Sequence, residues 1–160
     1  MQLSEPELRR WGGAIGKAVG LPVFIGLRGE LGAGKSVLAR AIARGAGVAG
    51  NLPSPTFNLL FRYPADRDGH PIYVVHMDLY RLATAEEVWE LGWEEHLSED
   101  QIVLVEWPER AERYLPEDRW EVELRTVRGD PHLRKVEVTR IGHPPALPTF
   151  PLSLDAGGGG

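Results

Sequence analysis

The chain has 160 residues, with 18 basic and 23 acidic side chains and no cysteine. This length suits one domain that buries its own core, and the lack of cysteine excludes a disulfide framework and a thiolate metal site. The formal charge of −5 argues against a protein that binds nucleic acid mainly through its own basic surface.

The N-terminal region predicts a helix and lacks the apolar run of a secretory signal. Met1–Pro6 is acidic and lacks the pattern of a secretory signal, and no apolar stretch of the chain approaches the length of a bilayer span. We therefore expect a cytoplasmic protein without membrane contact. Apolar residues then recur on one helical face from Pro6 to about Val19, with Ser4 or Glu5 near the cap.

A buried strand and a second helix follow this first helix. Val23–Leu27 is a short apolar run, typical of a strand that is buried on both faces. After a glycine-rich loop, the pattern predicts a helix from about Lys35 to Arg44, where several glycines end it.

The middle of the chain predicts two strands, a helix and a third strand. Asn58–Tyr63 and Ile72–Asp78 are expected to pair through the connection Pro64–His70, whose Asp-Gly step suits a hairpin turn. A helix is predicted from Thr84 to about Leu97, since its first residues have capping-box spacing. Ile102–Val105 has the composition of another buried strand.

The C-terminal third predicts two further strands and a tail. Trp120–Arg125 and Lys135–Ile141 alternate like exposed edge strands. Acidic residues are interleaved with the bases from Arg119 to Arg140, which favours a solvated sheet face over a nucleic-acid patch. Proline and glycine dominate residues 143–160, so we expect a disordered tail after one domain at 1–142. Buried strands interleaved with helices predict a three-layer α/β/α domain with a mixed, mostly parallel central sheet.

The glycine-rich loop Gly29–Ser36 matches the phosphate-binding pattern G-x-x-x-x-G-K-[ST] between a strand and a helix. Its glycines let successive N–H groups point at phosphate oxygens, and the next helix presents its positive N-terminus. Lys35 is expected to reach the β- and γ-phosphates, and Ser36 to offer its hydroxyl to Mg²⁺. The fold class is therefore P-loop NTPase-like. The candidate nucleotide-binding residues in the loop are Glu30, Leu31, Gly32, Ala33, Gly34, Lys35 and Ser36.

Two carboxylates follow predicted buried strands. Asp78 closes one strand and Glu106 closes the next along the chain. Ligands of open α/β sheets bind beyond the carboxyl ends of the strands, so both side chains should converge on the phosphate loop. One would hold Mg²⁺ and the other would orient the attacking water. His76 shares the strand face of Asp78, but without a third ligand a packed or hydrogen-bonded histidine is favoured over a metal pair.

A threonine lies between the phosphate-loop helix and the next predicted strand. Thr56 belongs to Ser54–Phe57, at the place where many P-loop switch proteins carry a threonine that senses the γ-phosphate. On position alone, a proline-stiffened turn leading into a strand is an equal interpretation.

Taken together, four segments resemble the TsaE family of bacterial ATPases: Gly29–Ser36, Ser54–Phe57, His76–Leu82 and Val105–Glu109. Their order and spacing extend the resemblance over about Gly26 to Pro116. The resemblance implies a role in forming threonylcarbamoyladenosine beside the anticodon of tRNA. In that role the ATPase acts with TsaB and TsaD, resets their complex by ATP hydrolysis, and contacts tRNA only indirectly.

The resemblance also implies a role for each matching residue. Lys35 is assigned to the phosphates of ATP or ADP, Ser36 and Glu106 to Mg²⁺, Thr56 to a switch position and Asp78 to hydrolysis. The candidate catalytic set is therefore Lys35, Asp78 and Glu106. Ser36 stands where the family more often has threonine, and either hydroxyl ligates Mg²⁺.

Three other functions share parts of this pattern. The sequence argues against a GTPase, because neither Asn51 nor Asn58 is followed by lysine, as the guanine-binding motif requires. A small-molecule kinase shares the loop and the strand-end acid, but it needs an arginine-bearing lid, for which Arg110 and Arg113 are weak candidates. A nucleotide-gated binding module with negligible turnover stays open as the third alternative.

Overall fold

The computed structural model describes residues 1–52, 60–91 and 100–148. Within these ranges the strands are β1 (Gln2–Ser4), β2 (Val23–Arg28), β3 (Leu60–Arg67), β4 (His70–Asp78), β5 (Gln101–Glu106), β6 (Arg119–Val127) and β7 (Asp130–Ile141). The helices are α1 (Glu5–Ala18) and α2 (Lys35–Gly45), with 3₁₀ helices at Ala85–Leu91 and Pro108–Tyr114. In this described part of the chain, no helix has both the length and the apolar character that crossing a membrane requires.

One mixed sheet has the strand order β1-β7-β6-β2-β5-β4-β3. Its four central strands, β6, β2, β5 and β4, are mutually parallel. The hairpins β3–β4 and β6–β7 are antiparallel, and β1 pairs antiparallel with β7. Because β1 therefore points the same way as β6, most strands of this sheet share one direction, which confirms the prediction of a mixed, mostly parallel sheet.

The two faces of the sheet are covered by different kinds of helix. One core contains the buried stripe of α1 and α2 together with the side chains of Val23, Ile25 and Leu27 on β2. The other core contains Phe24 of the same strand and is closed by Val88 and Ala111 from the two 3₁₀ helices. This alternation is the period of two that a strand buried on both faces requires, and it produces the predicted three layers.

The start of α1 follows from a complete capping box. The Ser4 N–H donates to Glu7 Oε1 at 3.0 Å, and the Glu7 N–H donates to Ser4 Oγ at 3.3 Å. Two backbone donors of the first turn are thereby satisfied. The cap also fixes the direction in which α1 leaves β1.

The β3–β4 hairpin is longer than the sequence pattern predicts. Pro64 lies inside β3 opposite Tyr73, and the connection consists of Asp68 and Gly69, both with positive φ. The prediction that Pro64–His70 forms the connection is therefore wrong. A proline is tolerated here because β3 ends the strand order, so its missing N–H leaves no central ladder bond unmade.

Other differences lie at the ends of the chain and in the predicted helix after Thr84. Ala85–Leu91 is a 3₁₀ helix, and the rest of the helix predicted to Leu97 lies outside the described residues. The sequence pattern did not predict β1 or the 3₁₀ helix Pro108–Tyr114.

Residues 143–148, which the sequence assigns to the tail, contact the domain. The indole N–H of Trp120 donates to the carbonyl of Pro145 at 2.7 Å, and that of Trp11 donates to the carbonyl of Pro148 at 2.9 Å. Two tryptophan donors therefore order a segment whose composition alone predicts disorder. Residues 149–160 lie outside the described residues, and the domain boundary at residue 142 stays a prediction.

Candidate functional site

The loop Gly29–Ser36 has the backbone shape that its glycines allow. Gly29, Gly32 and Gly34 have φ values of 144°, 82° and 108°. A Cβ at Gly29 would also lie 2.5 Å from the carbonyl oxygen of Leu124, so this position excludes a side chain for steric reasons as well. The loop is thus shaped by its own residues and by the strand beside it.

The N-terminus of α2 opens onto this loop. Gly34 is the N-cap and makes no side-chain capping bond. The first N–H groups of a helix have no partner within the helix, and here no cap competes for them. The helix N-terminus is therefore available to an anion such as phosphate.

Lys35 lies inside the loop, with 4% of its surface exposed. Its Nζ donates to the carbonyl oxygens of Gly29 and Glu30 and lies 4.3 Å from the ring centre of Trp107. Burial lowers the pKa of Lys35, and the negative charge of Glu106 opposes that shift. The buried ammonium gives the loop a positive charge beside the helix N-terminus.

The structure brings the strand-end carboxylates to the same edge of the sheet. Asp78 of β4 and Leu27 of β2 are both in register with Glu106 of β5. The Ser36 hydroxyl donates to Glu106 and lies 3.0 Å from Oε1 and 3.1 Å from Oε2. The predicted metal pair, Ser36 and Glu106, is thus in direct contact.

Asp78 lies at the same edge but has a different environment. Its Oδ1 accepts from the Tyr80 N–H at 3.0 Å. Burial raises the pKa of Asp78, and the neighbouring Glu106 carboxylate raises it further, while the Tyr80 N–H acts in the opposite direction. A carboxylate whose proton affinity is raised in this way suits a role in positioning water.

His76 forms the innermost contact of the site. Its Nε2 lies 2.6 Å from Glu106 Oε2, and the two side chains are 4% and 3% exposed. The interpretation of His76 as a packed or hydrogen-bonded histidine is confirmed. The period-two pattern of β4 places it on the face of Asp78, but its partner could not be read from the sequence because 30 positions separate the two residues.

Trp107 turns the chain sharply after β5. It has a φ of 62°, which is a strained conformation for a bulky side chain. The Trp107 N–H donates to the carbonyl of Leu27 at 3.2 Å, and its ring lies 5.1 Å from that of Tyr80. These contacts hold the indole over the Lys35 ammonium, so Trp107 belongs to the site.

The oxygen donors fit a magnesium ion that is held jointly with phosphate. In the described part of the chain, no three His, Asp or Glu side chains are grouped as a metal centre. Mg²⁺ usually keeps several waters and binds through one or two protein oxygens plus substrate phosphates. Ser36 and Glu106 provide such a pair at the N-terminus of α2.

Arg134 is a residue of the site that sequence reasoning missed. From β7, its Nε donates to the carbonyl of Ala33 at 3.1 Å and its Nη2 to the carbonyl of Gly32 at 3.4 Å. The sequence placed Arg134 on a solvated sheet face. No local signal identifies its role, because Arg134 and Ala33 lie 101 positions apart.

A cavity of about 300 Å³ adjoins the loop on the side away from Glu106. Gly32, Gly34 and Val37 form its wall toward the loop and α2. The opposite wall is formed by the β1–α1 junction, which includes Pro6, and by the start of β7, which includes Pro131. The cavity beside the phosphate loop is therefore lined by both apolar and polar residues.

The remaining predicted residues are placed as follows. Glu30 and Leu31 form the exposed turn of the loop, where the Ala33 N–H donates to the Glu30 carbonyl at 3.1 Å and Leu31 is 72% exposed. Thr56 lies outside the described residues, so its switch role stays a prediction.

Comparisons with known proteins agree with the resemblance seen in the sequence. A family model described as "Threonylcarbamoyl adenosine biosynthesis protein TsaE" matches residues 3–135. The tRNA threonylcarbamoyladenosine biosynthesis protein TsaE of Streptomyces coelicolor is 37% identical over 138 residues, which cover 84% of this chain and 91% of that protein. The protein of the same name from Haemophilus influenzae is 42% identical over 95 residues, which cover 59% of this chain and span 58% of that protein.

A solved structure agrees with the fold as well. The crystal structure of Bacillus subtilis YdiB superimposes with a TM-score of 0.68 at 26% identity, covering 89% of this chain and 87% of that one. The similarity therefore includes nearly the whole sheet and its helices.

Proposed function

This chain belongs to the TsaE family, and on that premise we propose that it is a Mg²⁺-dependent ATPase required for threonylcarbamoyladenosine modification of tRNA. The observation that carries the proposal is the contact between Ser36 and Glu106, 3.0 Å apart at the end of the loop Gly29–Ser36. A phosphate loop alone indicates nucleotide binding. A strand-end carboxylate that is hydrogen-bonded to the loop hydroxyl adds the two oxygen ligands of a magnesium nucleotide site.

The phosphates bind to groups that the loop already presents. The N–H groups of the loop and of the first turn of α2 donate to phosphate oxygens. Lys35 leaves the carbonyls of Gly29 and Glu30 and turns to the β- and γ-phosphates.

Glu106 and Ser36 would hold the metal, and Asp78 would orient the attacking water. Bound Mg²⁺ neutralises charge that develops on the phosphates during transfer. To ligate the cation, the Ser36 hydroxyl oxygen would have to turn away from its hydrogen bond with Glu106. Because Glu106 is already engaged by His76, Asp78 is the carboxylate better placed to orient the attacking water.

The nucleoside extends into the cavity beside the loop. The γ-phosphate end would lie toward Glu106 of β5, and β6, β7 and β1 lie on the opposite side of β2. A base that leaves the loop past Val37 would therefore meet Pro6 and Pro131, which line this cavity. Arg134 borders the same cavity and holds the loop carbonyls, so it connects nucleoside binding with loop shape.

The partners follow from the family role and the charge. We propose that the chain acts in the cytoplasm by binding and resetting a TsaB–TsaD complex, and that hydrolysis by the isolated chain is slow. With a net charge of −5, it is better suited to contact tRNA through that complex than directly.

The test measures phosphate release from ATP and repeated threonylcarbamoyladenosine formation by TsaB and TsaD, each with and without this chain. We expect Lys35→Ala to lower both by about 100-fold, since it removes a donor at the transferring phosphate. Lys17→Ala is the matched control, because Lys17 is exposed in the last turn of α1.

The outcomes separate the proposal from its alternatives. Full multi-turnover modification without this chain contradicts the family role. Phosphate release that Lys35→Ala leaves unchanged contradicts the ATPase. Transfer of phosphate to a metabolite identifies a kinase, and nucleotide-dependent partner binding without turnover identifies a binding module.

A further inference from the structure

A buried histidine lies behind the carboxylate of the proposed metal site. His76 is in register with Leu104, two residues before the pair formed by Asp78 and Glu106. Side chains alternate along a strand, so His76 and Asp78 project from the same face of β4. Val74, two residues earlier, packs in the core that contains α1 and α2, which identifies this face as the one beneath the phosphate loop.

In the described part of the chain, the Glu106 carboxylate is contacted by two side chains, Ser36 and His76. It is 3% exposed, and burying a carboxylate without hydrogen bonds is costly. Ser36 donates to it at 3.0 Å, and His76 Nε2 lies 2.6 Å from its Oε2. The short distance between buried partners is typical of a strong hydrogen bond to a charged acceptor.

Ser36 and His76 are expected to behave differently when a cation binds. The Ser36 hydroxyl oxygen is the predicted metal ligand, so it would turn away from Glu106 to bind a cation. His76 is buried on β4, and among the described residues its Nε2 contacts Glu106. It is not a predicted metal ligand. It therefore remains as the donor that fixes one carboxylate oxygen and leaves the other facing Ser36.

We propose that His76 is a positioning residue that orients Glu106 for uptake of Mg²⁺ with the nucleotide, an inference that rests on the proposed magnesium nucleotide site. Partners that orient a metal-ligating side chain typically change metal affinity by about 10- to 100-fold when they are removed. The role requires a donor at the position of Nε2. It does not require a charged or titrating histidine.

The experiment titrates a fluorescent ADP analogue into the full chain at several Mg²⁺ concentrations and in EDTA. His76→Phe keeps an aromatic ring but removes the donor, and we expect it to raise the Mg²⁺ concentration needed for half-maximal enhancement of affinity by about 10- to 100-fold. Affinity in EDTA should change less than about twofold, since phosphate binding to the loop is retained. His76→Gln should restore most of the wild-type Mg²⁺ response, because its Nε2 amide donates from a similar distance.

His70→Phe is the control for a histidine replaced on the same strand, since His70 is exposed at the start of β4. Thermal unfolding of each variant shows whether it folds. If His76→Phe fails to fold, the His76→Gln titration decides: a wild-type Mg²⁺ response supports the proposal and a lost response overturns it.

The possible failures are distinguishable. If the affinity of the wild-type chain for the ADP analogue does not depend on Mg²⁺, both the proposed magnesium site and the inference about His76 are contradicted. A Mg²⁺-responsive wild type with an equally responsive His76→Phe overturns the inference alone. An equal loss of affinity with and without Mg²⁺ in that variant overturns it as well, since it shows a packing role.

Discussion

Adding one methyl group to Gly16 should damage the domain, whereas the same change three residues earlier should not. A Cβ at Gly16 would lie 2.0 Å from the carbonyl oxygen of Ile42 and 2.6 Å from the amide nitrogen of Ala46. Both atoms belong to the backbone at the C-terminal end of α2, so no side-chain rotation relieves the clash. At Gly13, a Cβ meets nothing within 4 Å.

The two substitutions should change the free energy of unfolding in opposite directions. Overpacking a core typically costs about 1–3 kcal/mol, and because this clash is with backbone we expect Gly16→Ala to cost about 3 kcal/mol or more. For a domain of this size that lowers Tm by about 6–12 °C. Gly13→Ala instead replaces a helical glycine without a clash, which should stabilise the chain by about 0.5–1 kcal/mol.

Urea unfolding of the two variants and the wild type measures both values. The substitutions are chemically identical and lie on the same helix, so helix propensity contributes equally to both. Similar changes in the free energy of unfolding would show that close packing of α1 on α2 is not what excludes the side chain. Since α2 carries Lys35 and Ser36 in its first turn, Gly16→Ala should also weaken nucleotide binding, while Gly13→Ala leaves it unchanged.

Three further predictions concern the cap, the loop and the site carboxylate. Ser4→Ala removes the capping box of α1 and should lower the free energy of unfolding by about 1 kcal/mol in urea; no change would show that water replaces the cap. Arg134→Ala should weaken ADP binding roughly tenfold in calorimetry through loss of its bonds to the loop carbonyls, whereas Arg140→Ala, an exposed arginine on the same strand, should not. The raised pKa of Asp78 means that the folded chain binds this proton more tightly than the unfolded chain, so Asp78 costs stability once the pH exceeds its ordinary pKa of 3.8. Asp78→Asn should therefore unfold at a higher urea concentration than wild type at pH 7, with a difference that shrinks as the pH falls through 4; a constant difference would contradict this.

The parts of the site that sequence predicted are those with local patterns. Gly29–Ser36 and the acid after each buried strand are defined by neighbouring residues, because loop shape and strand period act over a few positions. The partners of those residues depend on strand order, which no local pattern contains. Arg134 meets the loop only because β7 and β6 fold back beside β2, and His76 meets Glu106 only because β4 and β5 are parallel neighbours. The same reasoning explains Pro64, whose place in a strand depends on that strand lying at an edge.

Contacts along the phosphate loop indicate that it is held in shape before nucleotide binds. Arg28, directly before the loop, donates through Nε and Nη2 to Glu121 at 3.1 Å each and lies 3.4 Å from Glu109. Arg134 holds the carbonyls in the middle, and Ser36 bonds to Glu106 at the end. A preorganised loop loses little conformational entropy on binding, which favours affinity.

Lys35 is the exception to this preorganisation. Its Nζ donates hydrogen bonds to the carbonyl oxygens of Gly29 and Glu30. Those hydrogen bonds must break before the ammonium can reach a phosphate. In the proposed ATP site, the γ-phosphate would offer additional negative charge to draw the ammonium away from the loop and from Trp107, so discrimination between ATP and ADP would arise at this side chain. The indole that faces Lys35 is then placed to respond to which nucleotide is bound, at the same edge where Asp78 would orient the water.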